Sequence, residues 1–185
     1  MLVLGLDPGL AITGYGLVRE AASNSGSRGI LASNQATPMA RSSGDLSLVE
    51  YGTVTTPAGQ PLPDRLLSIH EELRALIDKH RPDVVAVEEM FFGRNVTTAM
   101  IVGQARGVAI LAAARAGLPV REYKPTAVKQ AVTGYGKASK SQMQEMVRLL
   151  LNLEDVPKPD DAADAVAVAI CHVYAARLDK LIGVA

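Results

Sequence analysis

Leu2-Val3-Leu4-Gly5-Leu6-Asp7-Pro8-Gly9 opens the chain with an apolar run closed by an acid and a turn. A run of this length without polar alternation reads as a buried strand, and Pro8-Gly9 supplies the reversal. Residues 13–19 alternate enough to pair back as the second strand of a hairpin, and strand character resumes over 46–56. Between them, at about 21–48, the composition turns to Ser, Asn, Gly and Thr with Pro38, so a long flexible excursion of that hairpin is expected within a single domain spanning 1–185.

Further along, residues 61–80 carry Leu66, Leu67, Ile69, Leu73, Leu76 and Ile77 at helical spacing, stopped by His80-Arg81-Pro82. Residues 83–88 lack polar alternation, as a parallel strand covered on both faces does. Asn95 stands as N-cap to a helix over about 96–116. Gly103 and Gly107 lie four apart on one face of that helix, at a cost of ~1 kcal/mol each against alanine. Close approach of another helix, from the same chain or from a second subunit, would compensate. Gly117-Leu118-Pro119 ends the helix, and 120–123 is a short strand. Helices over about 126–132 and 139–151 flank Gly134-Tyr135-Gly136-Lys137, and a last helix runs from near Asp160 to about Leu181. The order β-β-β-α-β-α-β-α-α-α predicts a mixed sheet flanked by helices, in the α/β class.

Composition narrows the function classes. The chain has 185 residues, 48% of them hydrophobic, so it can bury a sizeable core. Lys+Arg and Asp+Glu number 19 each, which counts against a protein that coats DNA nonspecifically. The charge is distributed unevenly, however. Arg121, Lys124, Lys129, Lys137, Lys140 and Arg148 form a basic segment, followed by Glu154, Asp155, Asp160, Asp161 and Asp164. That order suits a polyanion held beside a metal site, and equally two differently charged solvated faces. The single cysteine, Cys171, excludes an internal disulfide and a cysteine-based zinc site, and its apolar surroundings predict a buried, inert thiol. No apolar run approaches the ~20 residues that span a bilayer, and the N-terminus lacks a basic n-region, so a cytoplasmic protein without membrane contact is expected.

The chemistry concentrates in the acids. Asp7 and Glu88 each close a strongly apolar strand, and Asp161 and Asp164 are three apart at the start of a small-residue helix. Residues at that spacing share a helix face. Acids at the ends of buried strands need a positive partner, and several carboxylate oxygens best suit a hard divalent cation, Mg2+ or Mn2+. Taken singly, each acid has a structural alternative: Asp7 as a turn residue, Asp160 or Asp161 as an N-cap, Glu89 in place of Glu88. Spacing alone leaves those choices open.

Several stretches together resemble the RuvC family of Holliday junction resolvases, within the RNase H-like nucleases. They are Gly5-Leu6-Asp7-Pro8-Gly9 with Thr13-Gly14-Tyr15-Gly16, Glu88-Glu89-Met90-Phe91-Phe92 with Asn95, and Gly103-Gln104-Ala105-Arg106-Gly107. Glu122-Tyr123, Val128-Lys129-Gln130, Lys140-Ser141-Gln142 and Asp161-Ala162-Ala163-Asp164-Ala165 follow in order, so the match covers nearly the whole chain. The 21–48 excursion departs from it, being longer than the family's first hairpin. The resemblance implies an RNase H-like fold with a mixed five-stranded sheet. It implies an acidic tetrad of Asp7, Glu88, Asp161 and Asp164, holding two Mg2+ or Mn2+ ions per site. Some family members place His where Asp161 stands.

The implied reaction is two-metal hydrolysis of a DNA phosphodiester at a four-way junction, leaving a 5′-phosphate and a 3′-hydroxyl. The implied assembly is a homodimer using the Gly103 to Gly107 helix, with the RuvA–RuvB branch-migration complex as partner. Lys129, Lys137 and Lys140 become phosphate contacts, Lys137 from a flexible glycine-rich loop. Phe91 becomes the candidate for stacking on an unpaired base, assisted by Arg94 and Tyr135. Three other readings compete: a nuclease for other branched DNA or RNA–DNA hybrid, a nucleotide-binding module of the sugar kinase and actin type, and an inactive junction binder.

Overall fold

A computed structural model of the chain describes residues 1–21, 46–89 and 96–183. Most of the expected excursion, the Asn95 cap, and Phe91, Phe92 and Arg94 lie outside the described residues.

The strands are β1 (Leu2–Asp7), β2 (Ile12–Glu20), β3 (Leu46–Thr55), β4 (Val84–Glu88) and β5 (Val120–Tyr123). The helices are α1 (Leu62–His80), α2 (Val96–Arg115), α3 (Pro125–Thr133), α4 (Lys140–Leu150) and α5 (Asp160–Ile182). The five strands form one sheet in the order β3-β2-β1-β4-β5. The first hairpin pairs antiparallel, β1 with β2 and β2 with β3, whereas β4 lies parallel to β1 and β5 parallel to β4. This is the mixed, helix-flanked sheet read from the sequence.

Both faces of the sheet are covered, which explains why β1 and β4 carry no polar alternation. Successive side chains still point to opposite faces. Leu2, Leu4 and Leu6 pack with Val85 and Val87 of β4 and with Ile69, Leu73 and Ala109 of α1 and α2. Val3, Val84 and Ala86 pack on the other side with Val166, Ile170 and Val173 of α5, together with α3 and α4. Helix α5 is buried continuously from Ala165 to Val173, as befits a helix that is apolar all round. Cys171 is among these residues, and burial pushes its thiol up to about 12, so the inert-thiol expectation agrees with the structure.

Glycines let α5 lie unusually close to the sheet. A Cβ on Gly5 would stand 2.1 Å from the Ala165 carbonyl oxygen, and one on Gly14 only 1.9 Å from that of Asp161. Since Asp7 pairs with Gly14 and Gly5 with Gly16, these glycines and Asp7 share the α5 face. The start of α5 is thereby pressed against the strand next to Asp7.

Gly107 behaves differently. It is exposed, and a Cβ there would meet nothing within 4 Å. No neighbour among the described residues compensates for this glycine.

Candidate active site

Asp7 follows Val3 and Gly5 by the strand's period of two, and Glu88 follows Val84 and Ala86, so both acids face α5. Leu6 pairs with Val87 in the parallel register, which sets Asp7 and Glu88 side by side at the carboxyl ends of neighbouring strands. Open α/β sheets bind their ligands in this crevice. Asp161 and Asp164 approach it from the first turns of α5, whose N-cap is Pro159 and carries no side-chain capping bond. Neither Asp160 nor Asp161 is therefore the N-cap that the sequence left open as a structural alternative.

The acids perturb one another electrostatically. Burial, then the charges of Asp164 and Asp161, push the Asp7 carboxyl up to about 6, partly offset by a hydrogen bond with Glu88 and by Lys140. Burial likewise pushes Glu88 up to about 7, reinforced by the charges of Asp7 and Asp164 and only partly countered by Lys129. Two carboxylates sharing a hydrogen bond in a half-buried site titrate as a pair, and this pair keeps a proton on the acid side of neutrality. Asp164 is also raised, first by burial, against the opposing pull of Lys140.

Lys140 carries the compensating charge. Its Nζ lies 3.0 Å from Asp164 Oδ2 and 3.3 Å from Asp160 Oδ2. Burial opposes that charge, but its bonds to Asp164 and Asp160 outweigh burial and raise the ammonium's pKa. Glu88, Asp164, Lys129 and Lys140, with Val128 and Met143, line a cleft of about 180 Å3. A larger groove of about 400 Å3 between α3 and α4, lined by Tyr135, Gln142 and Met146, holds none of the four acids.

The structure thus brings Glu88 and Asp164 together on one cleft, with Asp7 beside Glu88 and with Asp161 in electrostatic contact with Asp7 and Asp164. Among the described residues, no three acid, His or Cys side chains already stand at metal-ligating spacing. The local bonds account for this: Asp7 and Glu88 face each other, while Asp164 holds the Lys140 ammonium.

The lysines divide. Lys129 and Lys140 line the cleft, whereas Lys137 is exposed on the loop before α4. Hydrogen bonds that the sequence reading did not foresee cross the turn before Lys137. The Gly136 amide donates to Gln130 Oε1 at 3.0 Å, Gln130 Nε2 donates to the Gly134 carbonyl at 2.8 Å, and the Tyr135 amide donates to Thr133 Oγ1 at 3.1 Å. Two contacts were missed from the sequence, those that Asp160 makes with Lys140 and Gln144. The i,i+4 spacing of Lys140 with Gln144 and of Asp160 with Asp164 is the signal that such facing pairs leave.

The sequence model of the RuvC family, crossover junction endodeoxyribonuclease RuvC, matches residues 36–172. The chain belongs to the RuvC family. A crossover junction endodeoxyribonuclease RuvC from Chloroflexus aggregans is 55% identical over 184 residues, covering 100% of this chain and 99% of that protein. The RuvC of Desulfitobacterium hafniense is 51% identical over 183 residues, covering 99% and 98%. Among solved structures, Thermus thermophilus RuvC in complex with Holliday junction substrate superimposes with a TM-score of 0.81 at 35% identity, over 96% of each chain. The yeast mitochondrial Holliday junction resolvase Ydc2 shares the fold, with a TM-score of 0.62 at 14% identity. RuvC membership agrees with the RNase H-like architecture, and no helix among the described residues is long and apolar enough to cross a membrane.

Proposed function

We propose that this chain is a Holliday junction resolvase, a homodimeric endonuclease that nicks two opposing strands of a four-way DNA junction in recombination and repair. The mutual interaction of Asp7, Glu88 and Asp164, two of which line one cleft, inside a RuvC-family fold carries this reading. RuvC enzymes are metal-dependent nucleases, and the donor set fits a hard divalent cation. All four candidate ligands are carboxylates, and burial with mutual repulsion holds Asp7, Glu88 and Asp164 above their ordinary pKa, so the folded protein favours positive charge there.

Asp7, Glu88, Asp161 and Asp164 would hold two Mg2+ or Mn2+ ions. Bound there, the metals supply a water of lowered pKa and stabilise charge on the departing 3′ oxygen. Lys129 and Lys140 face the same cleft, where their charge holds a backbone phosphate against the acids. Lys137 engages the flanking backbone from its loop, and Phe91 and Arg94 act at the junction centre. Such phosphate contacts orient DNA without reading its sequence. The products are a 5′-phosphate and a 3′-hydroxyl. RuvA–RuvB is the proposed partner and the cytoplasm the proposed compartment.

Cleavage of a mobile four-way junction in Mg2+, compared with linear duplex and RNA–DNA hybrid, tests the substrate. Asp7→Asn is expected to reduce cleavage by at least about 100-fold, since even residues that merely support a metal ligand are worth 10–100-fold. Junction binding, read by gel shift, should persist because no phosphate contact is lost. Preference for hybrid would overturn the resolvase reading, and cleavage retained by Asp7→Asn would overturn the site.

A further inference from the structure

We propose that Asp160, which is not one of the four candidate metal ligands, is a positioning residue that holds Lys140 at the mouth of the cleft, with Gln144 locking it in place. The inference rests on the proposed function and assigns a new role beside that site. Asp160 begins α5 yet makes no capping bond, so its side chain is available for other contacts. It turns to α4 instead. Asp160 Oδ1 accepts a hydrogen bond of 2.9 Å from Gln144 Nε2, and Oδ2 lies 3.3 Å from Lys140 Nζ.

The geometry is a bracket. Lys140 and Gln144 are one turn apart on α4, and Asp160 and Asp164 are one turn apart on α5. The ammonium sits between the two aspartates, 3.0 Å from Asp164. Lys140 stands half exposed, and a lysine there would otherwise range over many rotamers at an entropic cost each time it met a phosphate. Gln144 fixes one oxygen of Asp160, so the other stays aimed at the lysine. A ligand that takes over Asp164 leaves the Asp160 contact intact. The ammonium then stays beside the cleft, free to turn to an incoming phosphodiester oxygen. No other acid is paired with Lys140 among the described residues.

Single-turnover cleavage of a four-way junction in Mg2+, titrated with protein, separates the maximal rate from half-saturation. Asp160→Ala is expected to lower the maximal rate about 3–10-fold with half-saturation changed less than twofold. Asp160→Glu should recover most of the loss, and Gln144→Ala should reproduce part of it. In a Lys140→Ala background, Asp160→Ala should cost nothing further. An undiminished loss there, or no loss in the single variant, overturns the proposal, because a purely structural role at the start of α5 does not depend on Lys140. A second readout needs no activity. NMR relaxation of the lysine Cε methylenes in the full chain should show Lys140 more restricted than Lys137, and less so in Asp160→Ala. Equal mobility of the two lysines in the wild-type protein would refute the tether. Absence of junction cleavage by the wild-type protein overturns the proposed function instead, whereas a cleaving wild type with a flat Asp160 series refutes this inference alone.

Discussion

Asp7 and Glu88 occupy positions where folding works against their charge, and the direction of that effect is testable. Both bind a proton more tightly in the folded chain than in the unfolded one, with pKa values pushed up to about 6 and about 7. Their stabilising contribution is complete below about pH 4, where both states are protonated alike, and it fades as pH rises through 6 and 7. Above pH 7 the folded state bears their repulsion and desolvation. In EDTA, wild-type stability should therefore fall from pH 5 to pH 8, and Asp7→Asn should flatten the decline. The variant should be more stable than wild type by about 1–3 kcal/mol at pH 8, at roughly 1.4 kcal/mol per pKa unit shifted. Urea denaturation of both proteins at the two pH values measures it; a destabilised variant at pH 8 would mean that the pair is held by favourable bonds instead. The choice of Glu88 over Glu89 came from the family resemblance, and strand parity, visible once Val84, Ala86 and Glu88 are seen to share a face, agrees with it. Without parity, apolar spacing left both acids open. The contacts of Asp160 were missed because i,i+4 spacing marks which residues share a face on α4 and on α5, whereas only the packing of the two helices joins those faces.

At the scale of elements, the site depends on how closely α5 can approach the sheet. Gly14 pairs with Asp7 on β2 and leaves room for the backbone of Asp161. A methyl group there would stand 1.9 Å from a carbonyl oxygen, and since both sides are backbone no side chain can swing aside. Gly14→Ala must lift the start of α5 and carry Asp161 and Asp164 with it. The expected cost is about 1–3 kcal/mol, the range for overpacking a tight core. Junction cleavage should fall by at least tenfold even where the variant is fully folded. Chemical denaturation and single-turnover cleavage read the two effects separately, and a cleavage rate unchanged in Gly14→Ala would show that the α5 approach does not set the site. The elements themselves were readable: strong apolar runs located β1 and β4, Ser139 with Gln142 closes a capping box at α4, and Pro and Gly punctuate most ends. What hid was the bonding of the turn before Lys137, where Gln130 reaches across to Gly134 and Gly136, because glycine content alone says nothing of such bonds.

For the whole molecule, a four-way junction with approximate two-fold symmetry calls for two sites in fixed relation, and a C2 pair of chains supplies them. The proposed dimer needs a self-complementary face, and α2 offers one. Met100, Gln104, Gly107 and Leu111 are exposed and fall along one stripe at spacings of four, three and four residues. The open space over Gly107 would admit a second helix at close range. A stable interface takes ~800 Å2 from each partner, and a helix face of this length with its flanks can contribute a large part of it. In an isologous interface every substitution counts twice, so Leu111→Glu buries two like charges across the axis. Dimer dissociation should then strengthen by at least about 3 kcal/mol, a hundredfold or more in Kd. The chain fold should survive, since Leu111 is 51% exposed within the chain. Sedimentation velocity reads the oligomeric state, and a cruciform plasmid reads its consequence. Paired nicks within one binding event linearise the plasmid, whereas unpaired nicks leave open circles. Leu111→Glu should shift the products from linear to nicked while Asp7, Glu88 and Asp164 remain in place. A dimer that persists with paired cleavage would move the interface to a different face of the molecule.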